Sequence, residues 1–228
     1  MNHDQFNFLT GRQNPPLVLV HDQVYVQPLV HQAFSALQAQ AKKAGIDLQI
    51  ASGHRTYARQ LLIWNEKVLG KRMVRDLQGH PLHPQDYPPE ELMSSILRWS
   101  ALPGASRHHW GTDLDVYDAA ALDQAELQLT VEEAQTTFGQ LHAWLDEYLP
   151  ASEFFRPYQK LRQGVAPEPW HLSFAPLAEQ YQAQYTWEIF VENLRQAPDL
   201  LLREHVLAQG PQIFAHHLQD IARPSRLA

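Results

Sequence analysis

The chain has 228 residues, a net charge of -7, 44% hydrophobic residues, six tryptophans and no cysteine. The acidic balance argues against nucleic acid or an anionic membrane surface as a partner. The missing cysteine excludes disulfides and thiolate-held metals, and no stretch is long and apolar enough to cross a bilayer.

The length suits one domain, or one domain with a helical appendage. Residues 1–6 lack a basic region followed by an apolar run, so no secretory signal is read there. The expectation is a cytoplasmic protein as the chain stands, or a periplasmic one if a leader has been removed. Asn14-Pro15-Pro16 marks a loop, and residues 17–20 read as a short strand. Residues 28–44 read as a helix: Pro28 fits its first turn, Leu29, Ala33, Phe34 and Leu37 recur at helical spacing, and Gly45 stops it. Residues 46–51 alternate as a strand does. Ser52-Gly53-His54-Arg55-Thr56 closes that strand and opens a helix running to about residue 69, with Thr56 as its N-cap. Residues 70–89, rich in Gly, Pro and His, read as an irregular loop and a candidate flap over a cleft. Residues 90–99 return to helix.

Next comes Ser106-Arg107-His108-His109-Trp110-Gly111-Thr112-Asp113-Leu114-Asp115. On one helix, His108 and Asp115 would lie about 10 Å apart along the axis, whereas ligands of one zinc ion sit about 2 Å from it. The chain must therefore double back, and Gly111 permits the turn. Residues 113–117 alternate polar and apolar, which places Asp113 and Asp115 on one face of a strand and Leu114 and Val116 in the core. After a polar loop, residues 131–148 read as one helix, and residues 154–158 as an edge strand, where Pro157 is tolerated. Pro167 and Pro169 keep Glu168 out of a helix. Residues 170–174 read as a strand with Trp170, Leu172 and Phe174 on one face and His171 on the other. From about residue 176 the chain reads as helices, expected on the back of the sheet.

His108, Asp115 and His171 are the candidate metal ligands, and Glu168 lies within reach of a metal-bound water as a general base. Arg55, at a strand-to-helix junction, can give a bidentate fork to a carboxylate or to a developing oxyanion. Gln60, about one and a half turns further on, can serve the same cleft. Ser106 reads equally well as a helix cap or as a contact to a peptide carboxylate. His109 is expected to point away from His108, to the surface or beside the site. Asp113 is expected beside the site or at the surface rather than on the metal. His54, His80 and His83 read as surface loop residues.

Ser-x-His-x-x-Gly-x-x-x-Asp followed by Glu-x-Trp-His resembles the VanY-type D-alanyl-D-alanine carboxypeptidases, zinc peptidases of the LAS type. Ser52-Gly53-His54-Arg55-Thr56 with Gln60 is similar to the family's Ser-Gly-x-Arg-Ser-x-x-x-Gln, with threonine for serine. The resemblance implies zinc on His108, Asp115 and His171, Glu168 as catalytic base, and Arg55 and Gln60 on the peptide. It implies an α+β fold: a small antiparallel sheet carrying the zinc site, flanked by helices. On this reading residues 1–180 form the zinc carboxypeptidase domain and residues 181–228 a C-terminal helical extension. The expected substrate is a peptidoglycan stem peptide or muropeptide, cut to release D-alanine by L,D- or D,D-cleavage. The alternatives are an endolysin-like endopeptidase and a non-catalytic zinc-binding domain.

Overall fold

The computed structural model describes residues 2–122 and 126–224. A short helix α1 (His3–Leu9) leads to strands β1 (Val18–His21) and β2 (Val24–Val26). These are followed by α2 (Pro28–Lys43), β3 (Leu48–Ser52), α3 (Tyr57–Val68), the two-residue strands β4 (Val74–Arg75) and β5 (Pro81–Leu82), and α4 (Pro89–Trp99). Then come β6 (Asp113–Asp118), α5 (Val131–Gln135), α6 (Gly139–Tyr148), β7 (Phe154–Phe155) and β8 (His171–Phe174). The described chain ends with α7 (Ala175–Gln184), α8 (Trp187–Arg195), α9 (Arg203–Ala208) and α10 (Gly210–Ile213), which runs on into a π-helical stretch over Phe214–Gln219.

The central sheet has the order β3-β6-β8-β7, with every pair antiparallel. Alternation sorts its side chains. Leu48, Ile50, Leu114, Val116, Leu172 and Phe174 pack against Phe34 and Leu37 of α2 and Leu141 and Leu145 of α6. The other face keeps Asp113, Asp115, His171 and Ser173. Register then does most of the positioning. Asp115 lies directly opposite His171, and Asp113 opposite Ser173, and cross-strand partners hold their Cβ atoms about 5 Å apart.

The local chemistry follows the sequence at α2, where Pro28 opens the helix and Gly45 takes a left-handed φ of +77° after it. Thr56 caps α3 by accepting from the Arg59 N–H. Four expectations change. Residues 24–26 form a strand that pairs with β1 through a turn at Asp22, whose left-handed φ of 44° a short polar side chain tolerates. The expected single helix over 131–148 is two, because Thr136 and Thr137 are poor helix formers and Gly139 follows them.

The third change concerns residues 70–89, which are pinned rather than a free flap. Val74 and Leu82 are buried in the helical core, and the Trp99 indole donates to the Asp76 carbonyl. The last concerns the C-terminal helices, which do not cover the back of the sheet. Ile189, Phe190, Leu194, Val206 and Ile213 join Phe6, Leu9, Trp64, Met93 and Ile96 in a second core. That core braces the chain before His108: Tyr185 donates to the Gly104 carbonyl and Asn193 to that of Pro103.

Candidate metal centre

His108 sits in a single 3-10 turn, Arg107–Trp110, ended by Gly111 at a φ of +67°. The turn reverses the chain so that β6 brings Asp115 back beside it. His108 Nδ1 lies 2.8 Å from the Gly53 carbonyl oxygen. An N–H must donate there, which leaves Nε2 as a lone pair, 3.4 Å from Asp115 Oδ2. His171 is the mirror case. Its Nε2 lies 3.0 Å from Asp113 Oδ1 and donates to it, which leaves Nδ1 facing Asp115 Oδ1 at 3.5 Å. One ligand atom from each of His108, Asp115 and His171 can be chosen so that all three lie within 4.8 Å of one another. All three residues are buried. Fixed tautomers, converging lone pairs and one carboxylate are the donor set a zinc ion takes, and the residues present fit it.

The electrostatics agree with a cation there. Burial pulls the His171 imidazole down, but hydrogen bonds to Asp113 and Glu168 override it and raise its pKa to about 10. Burial raises the Asp115 carboxyl, and His108 and His171 override that and lower its pKa to about 2. The carboxylates of Asp113, Asp115 and Glu168 thus favour positive charge at the imidazoles, and a metal ion on Nδ1 takes the place of the second His171 proton.

Glu168 stands in the turn before β8, where the His171 N–H donates to its carbonyl. Its Oε2 lies 3.1 Å from His171 Nδ1, beside the point where the ligand atoms meet. Arg55 donates from Nη1 to Gln60 Oε1 at 2.9 Å and from Nη2 to Ser52 Oγ at 3.0 Å, and its Nη2 is 3.9 Å from Asp115 Oδ2. Gln60 is buried, and its Nε2 donates to the Ala101 carbonyl. It therefore reaches the site through Arg55. Ser106 makes no capping bond, and its buried hydroxyl has no partner among the described residues.

His108, Asp115, His171, Glu168, Arg55 and Ser106 line a cleft of about 320 Å³, with Lys67, Trp99, Tyr158 and Trp170 in its walls. Trp170 was expected to pack beside Leu172 and Phe174. It precedes the strand in a turn, so the alternation starts only at His171, and its ring faces the cleft.

His109 does point away from His108, but it is fully buried rather than at the surface. Its Nδ1 donates to the Arg55 carbonyl at 2.6 Å and its Nε2 accepts from the Gly104 N–H at 3.0 Å. Burial lowers its pKa to about 3, so it is a neutral strut between two loops of the site. His54 is also more enclosed than a surface residue, and burial first, then His108, lowers its pKa to about 4.

Sequence reasoning missed Arg107. Its guanidinium donates to Asp113 at 2.8 Å, to Gln182 of α7 at 2.7 Å and to Ser173 at 2.7 Å. It fixes the carboxylate that fixes His171. A buried Asp facing the site requires a cation or several donors, but the sequence does not say which residue supplies them.

A small antiparallel sheet with a His-Asp-His cluster and an adjacent glutamate defines a metallopeptidase-like centre. The model of the family described as VanY, D-alanyl-D-alanine carboxypeptidase, matches residues 23–177, and the chain belongs to that family. An uncharacterized protein of Haemophilus influenzae is 32% identical over 131 residues, 55% of this chain and 99% of that protein. Two solved structures share the fold. A mutant of the vancomycin-resistance D,D-pentapeptidase VanY in complex with Zn(II) has a TM-score of 0.53 at 21% identity, covering 74% of this chain and 89% of that one. The LdcB LD-carboxypeptidase has a TM-score of 0.54 at 21% identity, covering 86% and 80%.

Proposed function

We propose that this protein is a zinc-dependent carboxypeptidase that removes the C-terminal D-alanine of peptidoglycan stem peptides, by L,D-cleavage of tetrapeptides or D,D-cleavage of pentapeptides. The observation that carries the reading is the meeting of His108, Asp115 and His171 beside Glu168. Membership of the VanY family supports the peptide substrate. The similar fold of a VanY bound to Zn(II) supports the metal.

Zinc held there would supply a Lewis acid that makes water a better nucleophile near neutral pH. His108 Nε2, His171 Nδ1 and a carboxylate oxygen of Asp115 would hold it. Glu168 accepts the proton of the attacking water and delivers it to the departing amine of D-alanine. Arg55, fixed by Gln60 and Ser52, faces the negative charge that grows on the scissile carbonyl oxygen. Gln60 is thus a positioning residue. Ser106 lines the same cleft, and its hydroxyl, buried and unpaired among the described residues, would reach the peptide after a small shift.

Incubation with tetrapeptide and pentapeptide muropeptides, read by mass spectrometry, tests this. D-alanine is expected to leave one or both, to stop with a chelator and to resume with added zinc. No release from either with zinc supplied overturns the reading, and cleavage of internal bonds alone redirects it to an endopeptidase.

A further inference from the structure

The cleft holds four cationic side chains: Arg55, Lys67, Arg72 and Arg107. Three have acids. Arg107 meets Asp113 at 2.8 Å, Arg72 meets Glu66 at 2.5 Å, and Arg55 leans on Asp115 at 3.9 Å. Among the described residues, Lys67 has no carboxylate within ion-pair distance. Its ammonium donates to the Ser100 hydroxyl. A half-buried charge with a neutral partner is costly to keep without a function. Burial lowers the Lys67 pKa to about 8, with Arg55 pushing the same way and Glu168 opposing.

The placement of Arg55 makes the vacancy specific. Its free edge lies against the metal ligand Asp115 and is held there by Gln60 and Ser52. That suits the scissile carbonyl. The terminal carboxylate lies one residue further along the peptide, about 3.5 Å on, and needs a different cation. Lys67, in the last turn of α3, is the cation in the same cleft with no acid of its own among the described residues.

We propose that Lys67 is the residue that recognises the free α-carboxylate of the substrate's last residue, leaving Arg55 for the carbonyl oxygen. The inference rests on the reading of the cleft as a peptide C-terminus site. It assigns to Lys67 the selection of chain ends over internal bonds, with Ser100 holding the ammonium ready.

The test measures binding and does not need turnover. The zinc-loaded Glu168→Ala protein is titrated with a stem tetrapeptide ending in a free carboxylate and with the same peptide ending in a carboxamide. The acid is expected to bind about 10- to 100-fold more tightly, the range of one charge-assisted hydrogen bond to a carboxylate. Adding Lys67→Met is expected to remove that preference by weakening only the acid, and Lys67→Arg to keep it. A Lys67→Met protein that still prefers the acid, or that loses both peptides equally, overturns the inference while leaving the peptidase reading intact. If neither peptide binds even with Lys67 present, the cleft is not a site for this C-terminus and both readings fall.

Discussion

The two faces of β6 carry alternate residues of one strand and are held by different physics. On the apolar face, Leu114 and Val116 are fully buried among side chains from α2, α6 and three strands. Each contact there is small and many residues share the load. On the polar face, Asp113 and Asp115 are equally enclosed, but each has specific partners in fixed directions. The first face tolerates replacement by anything of similar volume. The second is a set of single connections, where one lost atom removes one function.

The sharpest way to test the contrast is Glu168→Ala. Glu168 is half-buried at the cleft and carries no core packing, so the fold and the three ligands should persist. Turnover should fall by roughly 10²- to 10⁴-fold, the usual contribution of a general base. Zinc stoichiometry by elemental analysis should be unchanged. Full activity in this variant would remove Glu168 from the chemistry.

Leu114→Ala probes the opposite face. It should cost about 2–5 kcal/mol of stability, as buried leucine truncations do, read as a lower denaturant midpoint. The remaining folded protein should keep its zinc affinity and its turnover per folded molecule. A loss of turnover larger than the loss of folded protein would show that the two faces are not separable.

The same contrast explains what could be read from the sequence. The apolar face was legible because alternation at Leu114, Val116, Leu172 and Phe174 is a one-dimensional signal. The meeting of His108, Asp115 and His171 beside Glu168 was legible because spacing, a turn glycine and two flanking prolines restrict the local geometry, and a family resemblance joined the two stretches. Arg107 and the committed side of Gln60 were not. Their roles depend on register and on α7, which is some 70 residues away in the chain, and no local pattern encodes that. His109 could not be assigned to the interior because its partners are the backbone atoms of Arg55 and Gly104, which carry no residue-type signal. The hairpin at Asp22 was hidden by a turn residue other than glycine, and the placement of the C-terminal helices by a core shared with α1, α3 and α4.

Asp113→Asn gives the finest discrimination, because its effect on turnover is expected to vanish when zinc is saturating. Asp113 touches no substrate and is proposed to act only through His171. It accepts the His171 Nε2–H at 3.0 Å and a hydrogen bond from Thr112 at 2.7 Å, and it neutralises Arg107. Asparagine keeps an oxygen for the imidazole but not the charge that makes His171 a stronger donor to a metal. Zinc affinity should fall by about 10- to 100-fold, the range for partners of metal-bound histidines. Stability should also drop, since Arg107 keeps only the neutral Ser173 and Gln182. With zinc saturating, turnover should recover most of its wild-type value, because Glu168 and Arg55 are untouched. Weak turnover at saturating zinc would mean that the Asp113 charge also acts on the reaction itself, and the division between holding the ion and doing the chemistry would have to be redrawn along β6.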